Sequence, residues 1–566
     1  MSVEQTSMNQ LITDNIDVWT STVKTKSASG RGSSKKRELY GVKKLRELIL
    51  ELAIRGKLVP QDPNDESVSI LLERIAEKKA QLVKEGKIKK PKKLAEVGDD
   101  ELSFELPSAW DIQRLPDVYY TVSPSGKKLK SSDVLEEGSY PVIDQGQGDI
   151  AGYSNDEERL INIESPIIIF GDHTRNIKYI DFSFVPGADG TKILCPIGIV
   201  AEFFYLQLRS YDLESRGYGR HFKILNENLF VIPPLEEQHR IVAKVDELMT
   251  LCDQLEQQTE ASIAAHQVLV STLLDTLSNS ANAEELMQNW QMVAENFDTL
   301  FTTEQSIDQL KQTILQLAVM GKLVPQDSND EPAAKLLERI AEEKAQLVKE
   351  KKIKKQKALP PIADDEKPFE LPNGWEWCRF GELGYDLGGG TPSKANASYW
   401  GGDIPWVSPK DMKRDFIDSA IDTVTEKAVE ETTIKLIPNN SLLMVVRGMI
   451  LAHSFPVALT KKTLVINQDM KALVFSQLHS DFLLLVMKAM RDSVVGLVDH
   501  SSHGTCKLVS EKLWAFPLAI PPYREQENIT NMVNEFLAIC DELKLRLGDS
   551  RQTQLQLTDA IVEQAL

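Results

Sequence analysis

Few residues in this chain are spaced for catalysis. There is no Gly-x-x-x-x-Gly-Lys-Ser/Thr phosphate cradle. Gly388-Gly-Gly-Thr-Pro-Ser-Lys394 is glycine-rich, but its spacing is wrong, and it reads as a turn or a loop facing nucleic acid. Ile520-Pro-Pro-Tyr523 has the outline of an amine-methylating Asn/Asp-Pro-Pro-Tyr motif. Isoleucine, however, has no carbonyl to accept the amine proton, and the parallel Ile232-Pro-Pro-Leu235 also lacks the aromatic. Both segments read as the start of a helix. His500-Ser-Ser-His503-Gly-Thr-Cys506 offers three zinc-type ligands without an evident fourth. No Ser-His-Asp or Cys-His arrangement stands out. These residues leave no metal, no cofactor site and no catalytic group to expect in this chain.

Cations in acid-free stretches are better placed for chemistry. Lys and Arg neutralise phosphates, while Arg, Asn and Gln form paired bonds to base edges. Residues 111–231 carry twelve Lys/Arg against eighteen Asp/Glu, and residues 376–519 carry fifteen against sixteen, so binding would rely on local patches. In the first stretch the candidates are Ser125, Lys127, Lys128 and Lys130, Gln145 and Gln147, His173-Thr174-Arg175, and Arg216, Tyr218, Arg220, His221 and Lys223. In the second they are Thr391, Ser393, Lys394, Lys410, Lys413, Arg414, Arg447, His503 and Lys507. Tyr218, Trp400 and Trp406 read as core, with stacking on bases the alternative for all three. Lys87-Ile-Lys-Lys-Pro-Lys-Lys93 and Lys351-Lys-Ile-Lys-Lys-Gln-Lys357 read as solvated runs, with phosphate contact the alternative.

The elements that would carry these residues come in duplicate. Leu45 to Leu94 matches Leu310 to Leu359 at an offset of 265, with 35 of the 50 positions identical. The match includes Gly-Lys-Leu-Val-Pro-Gln-Asp at 56–62 and 321–327, and the same offset brings Phe104-Glu-Leu-Pro-Ser-Ala-Trp110 onto Phe369-Glu-Leu-Pro-Asn-Gly-Trp375. A second match at offset 288 joins Ile232-Pro-Pro-Leu-Glu-Glu-Gln238 to Ile520-Pro-Pro-Tyr-Arg-Glu-Gln526. Between the two matches the sequences have little in common. Ile241, Val245, Leu248, Cys252 and Leu255, like Ile529, Val533, Phe536, Cys540 and Leu543, step 4-3-4-3 as in a coiled coil starting after the double proline. Leu45 to Ala53 and Leu71 to Val83 have helical periodicity. Short apolar runs such as Pro166-Ile-Ile-Ile-Phe170 and Ser441-Leu-Leu-Met-Val-Val446 read as strands.

The fold class expected is therefore α+β: two mixed domains separated by duplicated long helices that form an antiparallel coiled coil with a pseudo-two-fold. The expected divisions are a disordered tail at 1–40, arms at 41–110 and 306–375, variable domains at 111–231 and 376–519, coil helices at 232–275 and 520–566, and a helical linker at 276–305. The chain has 566 residues, a net charge of −19 and no apolar run long enough for a membrane span. Its five cysteines are odd in number and far apart, which favours a reducing cytoplasm.

Gly-Lys-Leu-Val-Pro-Gln in both arms, Leu-Pro-x-x-Trp before both variable domains and Pro-Pro-x-x-Glu-Gln after them resemble the specificity subunits of type I restriction–modification enzymes. Gly390-Thr-Pro-Ser393, Tyr399-Trp-Gly-Gly-Asp-Ile-Pro-Trp406, Tyr140-Pro-Val-Ile-Asp-Gln145 and Gly187-Ala-Asp-Gly190 look like parts of that family's target recognition domains. The resemblance implies two such domains, each reading half of a split double-stranded DNA site. It also implies coils that dock two methyltransferase subunits, and separate motor-nuclease subunits that join for cleavage. S-adenosylmethionine, ATP and magnesium would then bind to partners. A scaffold with two protein-binding lobes, or a self-sufficient enzyme, are the competing readings.

Overall fold

A computed structural model describes residues 8–26, 36–89, 94–98, 101–102, 104–124, 126–187, 190–214, 219–281, 283–500 and 506–566. Contacts divide the chain into two units, one of residues 1–263 and 550–566 and the other of 264–549. The boundaries fall inside two long helices, Leu235–Ser278 and Tyr523–Ala565, each starting directly after a double proline.

In unit 1 the apolar seam Ile241, Val245, Leu248, Cys252 and Leu255 is buried in one core with Leu45, Leu48, Ile49 and Leu52 of the arm helix Tyr40–Ile54. Arg46 of that helix bridges Asp253 (2.6 Å) and Glu256 (2.8 Å). Ile561 and Val562, from the end of the final helix, pack on the same core. The seam residues sit opposite an arm helix, so the 4-3-4-3 pattern serves helix packing within the unit. Unit 2 repeats this: Ile529, Val533 and Cys540 share a core with Ile307, Leu310 and Ile314 of Glu304–Val319 and with Val270 and Leu274. Lys311 there pairs with Asp541 and Lys544 with Asp308.

The duplicated motifs meet at one buried point in each unit. Trp110 Nε1 donates to Glu237 at 3.0 Å, Gln61 donates to the same carboxylate at 2.9 Å, and the Gln238 Oε1 accepts from Val200 N at 2.9 Å. In unit 2, Trp375 (3.0 Å) and Gln326 (3.2 Å) donate to Glu525, and Gln526 Oε1 accepts from His479 N at 3.0 Å. Burial raises both carboxyls above the usual range; Trp110 and then Arg240 oppose this at Glu237, and Gln326 and Trp375 oppose it at Glu525. Gly56 (φ +67) and Gly321 (φ +68) turn the chain beside Pro107 and Pro372, where a Cβ would collide with the proline ring.

Each variable block holds two main sheets, and a two-stranded antiparallel pair joins its two ends, Asp111–Arg114 with Leu229–Ile232 and Glu376–Arg379 with Pro517–Ile520. In unit 1 the larger runs Tyr119–Val122, Thr191–Pro196, Ile167–Gly171, Ile177–Ile180, all antiparallel. The smaller runs Gly152–Ser154, Tyr140–Ile143, Val185–Pro186, with the last pair parallel. In unit 2 the larger sheet runs Gly384–Gly388, Met470–Phe475, Leu442–Val445, Val457–Thr460, plus an edge strand Phe416–Ile417. Its smaller sheet runs Asp422–Val424, Trp400–Val407, Val465–Ile466, again with the last pair parallel. One helix backs each larger sheet: Ala201–Ser210 and Ser480–Ala489.

The N-terminal segment corrects the sequence reading. Composition reads as disorder over residues 1–40, yet helices Met8–Asp14 and Ile16–Ser21 bury Ile12 (2% exposed) and Trp19 (0% exposed) in the unit 1 core. One amphipathic turn placed over an existing apolar core is enough to order such a segment, although its own periodicity is too short to reveal it.

Candidate nucleic-acid interface

Strand register places the candidate residues. In unit 1, four backbone bonds tie the loops at one end of the two sheets together: Leu129 N to Pro186 O (2.9 Å), Gly187 N to Ile143 O, Asp172 N to Gly190 O and His221 N to Asp172 O (each 2.8 Å). Unit 2 has the same four, from Gly390 N to Ile466 O, Asn467 N to Val407 O, Val446 N to Asp469 O and Leu508 N to Val446 O, each 2.9 Å. Leu129 therefore corresponds to Gly390, Ile143 to Val407, Asp172 to Val446 and His221 to Leu508. Candidates picked by residue type in unrelated sequences fall on corresponding loops. His173 and Arg447 each follow a central strand at the same position, and Arg220 and Lys507 share another. Gln145 and Gln147 occupy the loop that in unit 2 holds Lys410, Lys413 and Arg414; Lys127, Lys128 and Lys130 lie on the loop that there holds Thr391, Ser393 and Lys394. Ser125, Arg216, Tyr218 and His503 lie outside the described residues.

Neighbouring atoms sort these residues further. Lys130, Gln147, Arg220, Lys223, Ser393, Lys394, Lys410, Lys413, Arg414 and Lys507 are exposed. Lys127 is also exposed, with its amine on Leu160 O at 2.7 Å, while Lys128 accepts from Arg159 through its carbonyl at 2.6 Å. Arg175 takes a left-handed φ of +64 and donates to Leu213 O at 2.6 Å. Arg414 bonds Ser419 Oγ at 3.1 Å, and Arg447 stands 3.9 Å from Asp469. Thr391 donates to Gln468 Oε1.

Gln145 works as a strut. Its Oε1 accepts from His173 N at 3.2 Å, and its carbonyl accepts from Thr174 Oγ1 (2.5 Å) and Asn176 Nδ2 (3.0 Å). His221 must be corrected: it is 0% exposed, with Nδ1 against Asp172 O at 3.0 Å, so it ties its loop to the central strand and cannot itself reach a ligand. Trp406 (6% exposed) lies in a small core with Trp400, their rings 5.3 Å apart and edge to face, as expected. Their indole nitrogens donate to Gly390 O (2.9 Å) and Ser393 O (3.2 Å), which fixes the Gly-Thr-Pro-Ser loop.

Gln468 and Asn176 escaped the sequence reading. Both sit on these loops, and a polar cluster between two apolar runs, Asn467-Gln-Asp469, was the available signal. Among the described residues, no group of three or more His, Cys, Asp or Glu is placed to hold a metal, and no helix is long and apolar enough to cross a membrane.

A closely matching frame in two copies, carrying two lobes of one topology with unlike loops, defines a tandem duplicated α+β protein with two different loop surfaces. A family model described as the type I restriction modification DNA specificity domain matches residues 107–265 and 372–547. The chain is 40% identical to the EcoEI type I restriction enzyme specificity subunit of Escherichia coli, over 99% of this chain and 100% of that protein. It is 39% identical to the EcoAI specificity subunit of the same organism, again over 99% and 100%. A solved HsdS subunit from Thermoanaerobacter tengcongensis matches at 16% identity and a TM-score of 0.36, over 82% of this chain and 98% of that one. The chain belongs to the family of type I restriction–modification specificity subunits.

Proposed function

We propose that each unit reads one half of a bipartite, asymmetric site in double-stranded DNA through the four loops at one end of its sheets. The observation that carries this reading is the correspondence of those loops. The backbone bonds that anchor them are the same in both units, while the side chains they present differ: His173 against Arg447, Gln147 against Lys410, Arg220 against Lys507. A common platform with different polar groups suits two readers of different sequences. The chain is non-catalytic in this reading. The long helices set the spacer between half-sites and dock two methyltransferase subunits, and motor-nuclease subunits join for cleavage. S-adenosylmethionine, ATP and magnesium are held by those partners.

The test is a map of methylated adenines made by the chain together with its methyltransferase subunits. Inserting a few residues near Thr259, inside the helix Leu235–Ser278, is expected to lengthen the unread spacer and leave both half-sites unchanged. Altered half-sites with the old spacer would refute the assignment of spacer to helix and sequence to loops. A wild-type complex without preference for any duplex would refute DNA reading altogether and favour a protein scaffold.

A further inference from the structure

The second arm ends in a basic run that is fixed along the lobe it precedes. Helix Ala333–Lys349 closes with Lys351 N on Val348 O at 3.0 Å and Lys352 N on Leu347 O at 2.9 Å, the paired bonds of a Schellman turn. Lys344, inside the helix, donates to Gly381 O at 2.7 Å, and the half-buried Ile353 and Leu359 line one cleft with Gly381. The carbonyls of Pro360 (2.9 Å) and Pro361 (2.7 Å) then accept from the buried Arg379 guanidinium. Between these anchors Gln356 Nε2 donates to Asp386 Oδ1 at 3.3 Å. Asp386 lies on Gly384–Gly388, an edge strand of the larger sheet, two residues or ~7 Å before the loop of Thr391, Ser393 and Lys394 begins.

Residues 349–357 hold six lysines and one acid, Glu350, in a chain of net charge −19. Glu350 pairs with Lys352 at 2.8 Å. Two acids beside the run are also engaged, Asp386 with Lys471 at 2.7 Å and Glu382 with Arg379 N at 2.8 Å. Lys354, Lys355 and Lys357 are exposed, and no acid among the described residues stands within 4 Å of their amines. The negative end of a helix favours cations only within its last turn, so it does not account for these three. Lys351 adds to the charge at φ +57, a left-handed position that unit 1 gives to Gly86 (φ +71). Like charges this close repel, and a free tail would let them spread apart. Here the anchors on both sides hold them together, so a neighbouring anion would relieve the repulsion.

We propose that Lys354, Lys355 and Lys357 form a site for the phosphate backbone of duplex DNA beside the candidate loops of unit 2. It holds the duplex without reading bases. A duplex strand carries a phosphate every ~3.4 Å, so one engaged by the adjoining loop brings a row of anions next to the run. The inference rests on the reading that the complex binds DNA, but it does not depend on which loops read sequence. Of the matching run in unit 1, residues 90–93 lie outside the described residues.

The experiment uses the full chain with its methyltransferase subunits, and fluorescent duplexes containing either the mapped site or a scrambled site, titrated across a salt series. Replacing Lys354, Lys355 and Lys357 together by Ala is expected to weaken binding to both duplexes about tenfold. The preference for the true site should stay the same, and the log–log salt slope should become shallower by ~0.9 for each phosphate that the variant no longer neutralises. Replacing the same three by Arg keeps the charge and should keep wild-type affinity and slope. Wild-type affinity and slope in the Ala variant would overturn the proposal. So would equal losses in the Ala and Arg variants, which would make the run structural. Loss of methyltransferase co-purification at unchanged slope would also overturn it and assign the run to a protein partner. Failure of the loop reading shows up separately, as absence of preference in the wild type while the Ala variant still flattens the salt slope on either duplex.

Discussion

The frames of the two units resemble each other in sequence and structure, whereas the lobes they carry resemble each other in structure alone. The frames keep 35 of 50 arm positions and place the same indole 3.0 Å from the same buried carboxylate. The lobes reach a common topology with different residues. Thr191 faces Gly171 as Met470 faces Val445, and Val142 faces Val185 as Trp406 faces Val465. Sheet register needs only alternating apolar burial and free backbone groups, so it tolerates wide substitution. The frame needs particular side chains, because a buried carboxylate without its donors is expensive. Duplication thus leaves a rigid node that resists change and a loop surface that accepts it. One loop also differs in length: five residues lie between Ser123 and Leu129, and one between Gly388 and Gly390.

The largest effect expected to test this comparison comes from the turn glycines. Gly56→Ala and Gly321→Ala each force a side chain onto a positive φ and into a proline ring, and each should destabilise its own unit by roughly 1–3 kcal/mol or more. Hydrogen exchange of the Trp110 and Trp375 segments reads the two units separately. A loss in one unit and not the other would break the equivalence of the frames.

A smaller effect should separate the nodes. Asp65 raises the Glu237 carboxyl as Asp330 raises that of Glu525, but Arg240, which bonds Asp65 (2.6 and 3.0 Å), opposes this at Glu237, whereas the corresponding residue beside Glu525 is the uncharged Asn528. Both carboxyls are raised in the folded state. The folded chain therefore keeps a proton that the unfolded chain has already lost, so stability declines as pH rises from the ordinary glutamate value of 4.5 to the raised one, then levels off. Glu525→Gln should remove that slope in unit 2 at little loss of stability. Glu237→Gln should lose about 1 kcal/mol more, because Arg240 then faces no carboxylate at that position. Equal losses, followed by the same exchange experiment across pH 4 to 7, would show that Arg240 does not distinguish the nodes.

Much of the frame was legible because its signals are local. Double prolines mark helix starts at Leu235 and Tyr523, and helical stripes locate Tyr40–Ile54 and Val68–Lys84 to within a few residues. The pairing within the smaller sheets was not legible: the apolar runs Phe182-Ser-Phe-Val185 and Leu464-Val-Ile466 read as strands, but Val185–Pro186 and Val465–Ile466 pair in parallel with distant strands, which leaves no local signal of the partner. The N-terminal helices left only a short trace, Asn15-Ile-Asp17 against Asn296-Phe-Asp298, at an offset of 281 that fits neither main repeat. At the loops, residue type found positions such as Arg220 and Lys507, but it could not tell an exposed cation from a strut. Gln145 and His221 are polar because they hold neighbouring loops, and only their partners show this.

The smallest effect tests the lobes themselves. Arg220 and Lys507 sit one residue before the backbone bond that ties the last loop to the central strand, and both are exposed. If the lobes present corresponding phosphate contacts, Arg220→Ala and Lys507→Ala each weaken binding severalfold and make the salt slope shallower by ~0.9, and the double variant adds the two effects. Each loss should be the same on the true and scrambled duplexes, because a phosphate contact carries no base information. Anisotropy titrations across a salt series measure all of this on one complex. A variant with wild-type slope removes that residue from the interface. If Lys507→Ala instead relaxes sequence preference at one half-site, the position reads a base in unit 2, and the correspondence of the lobes stops at the backbone.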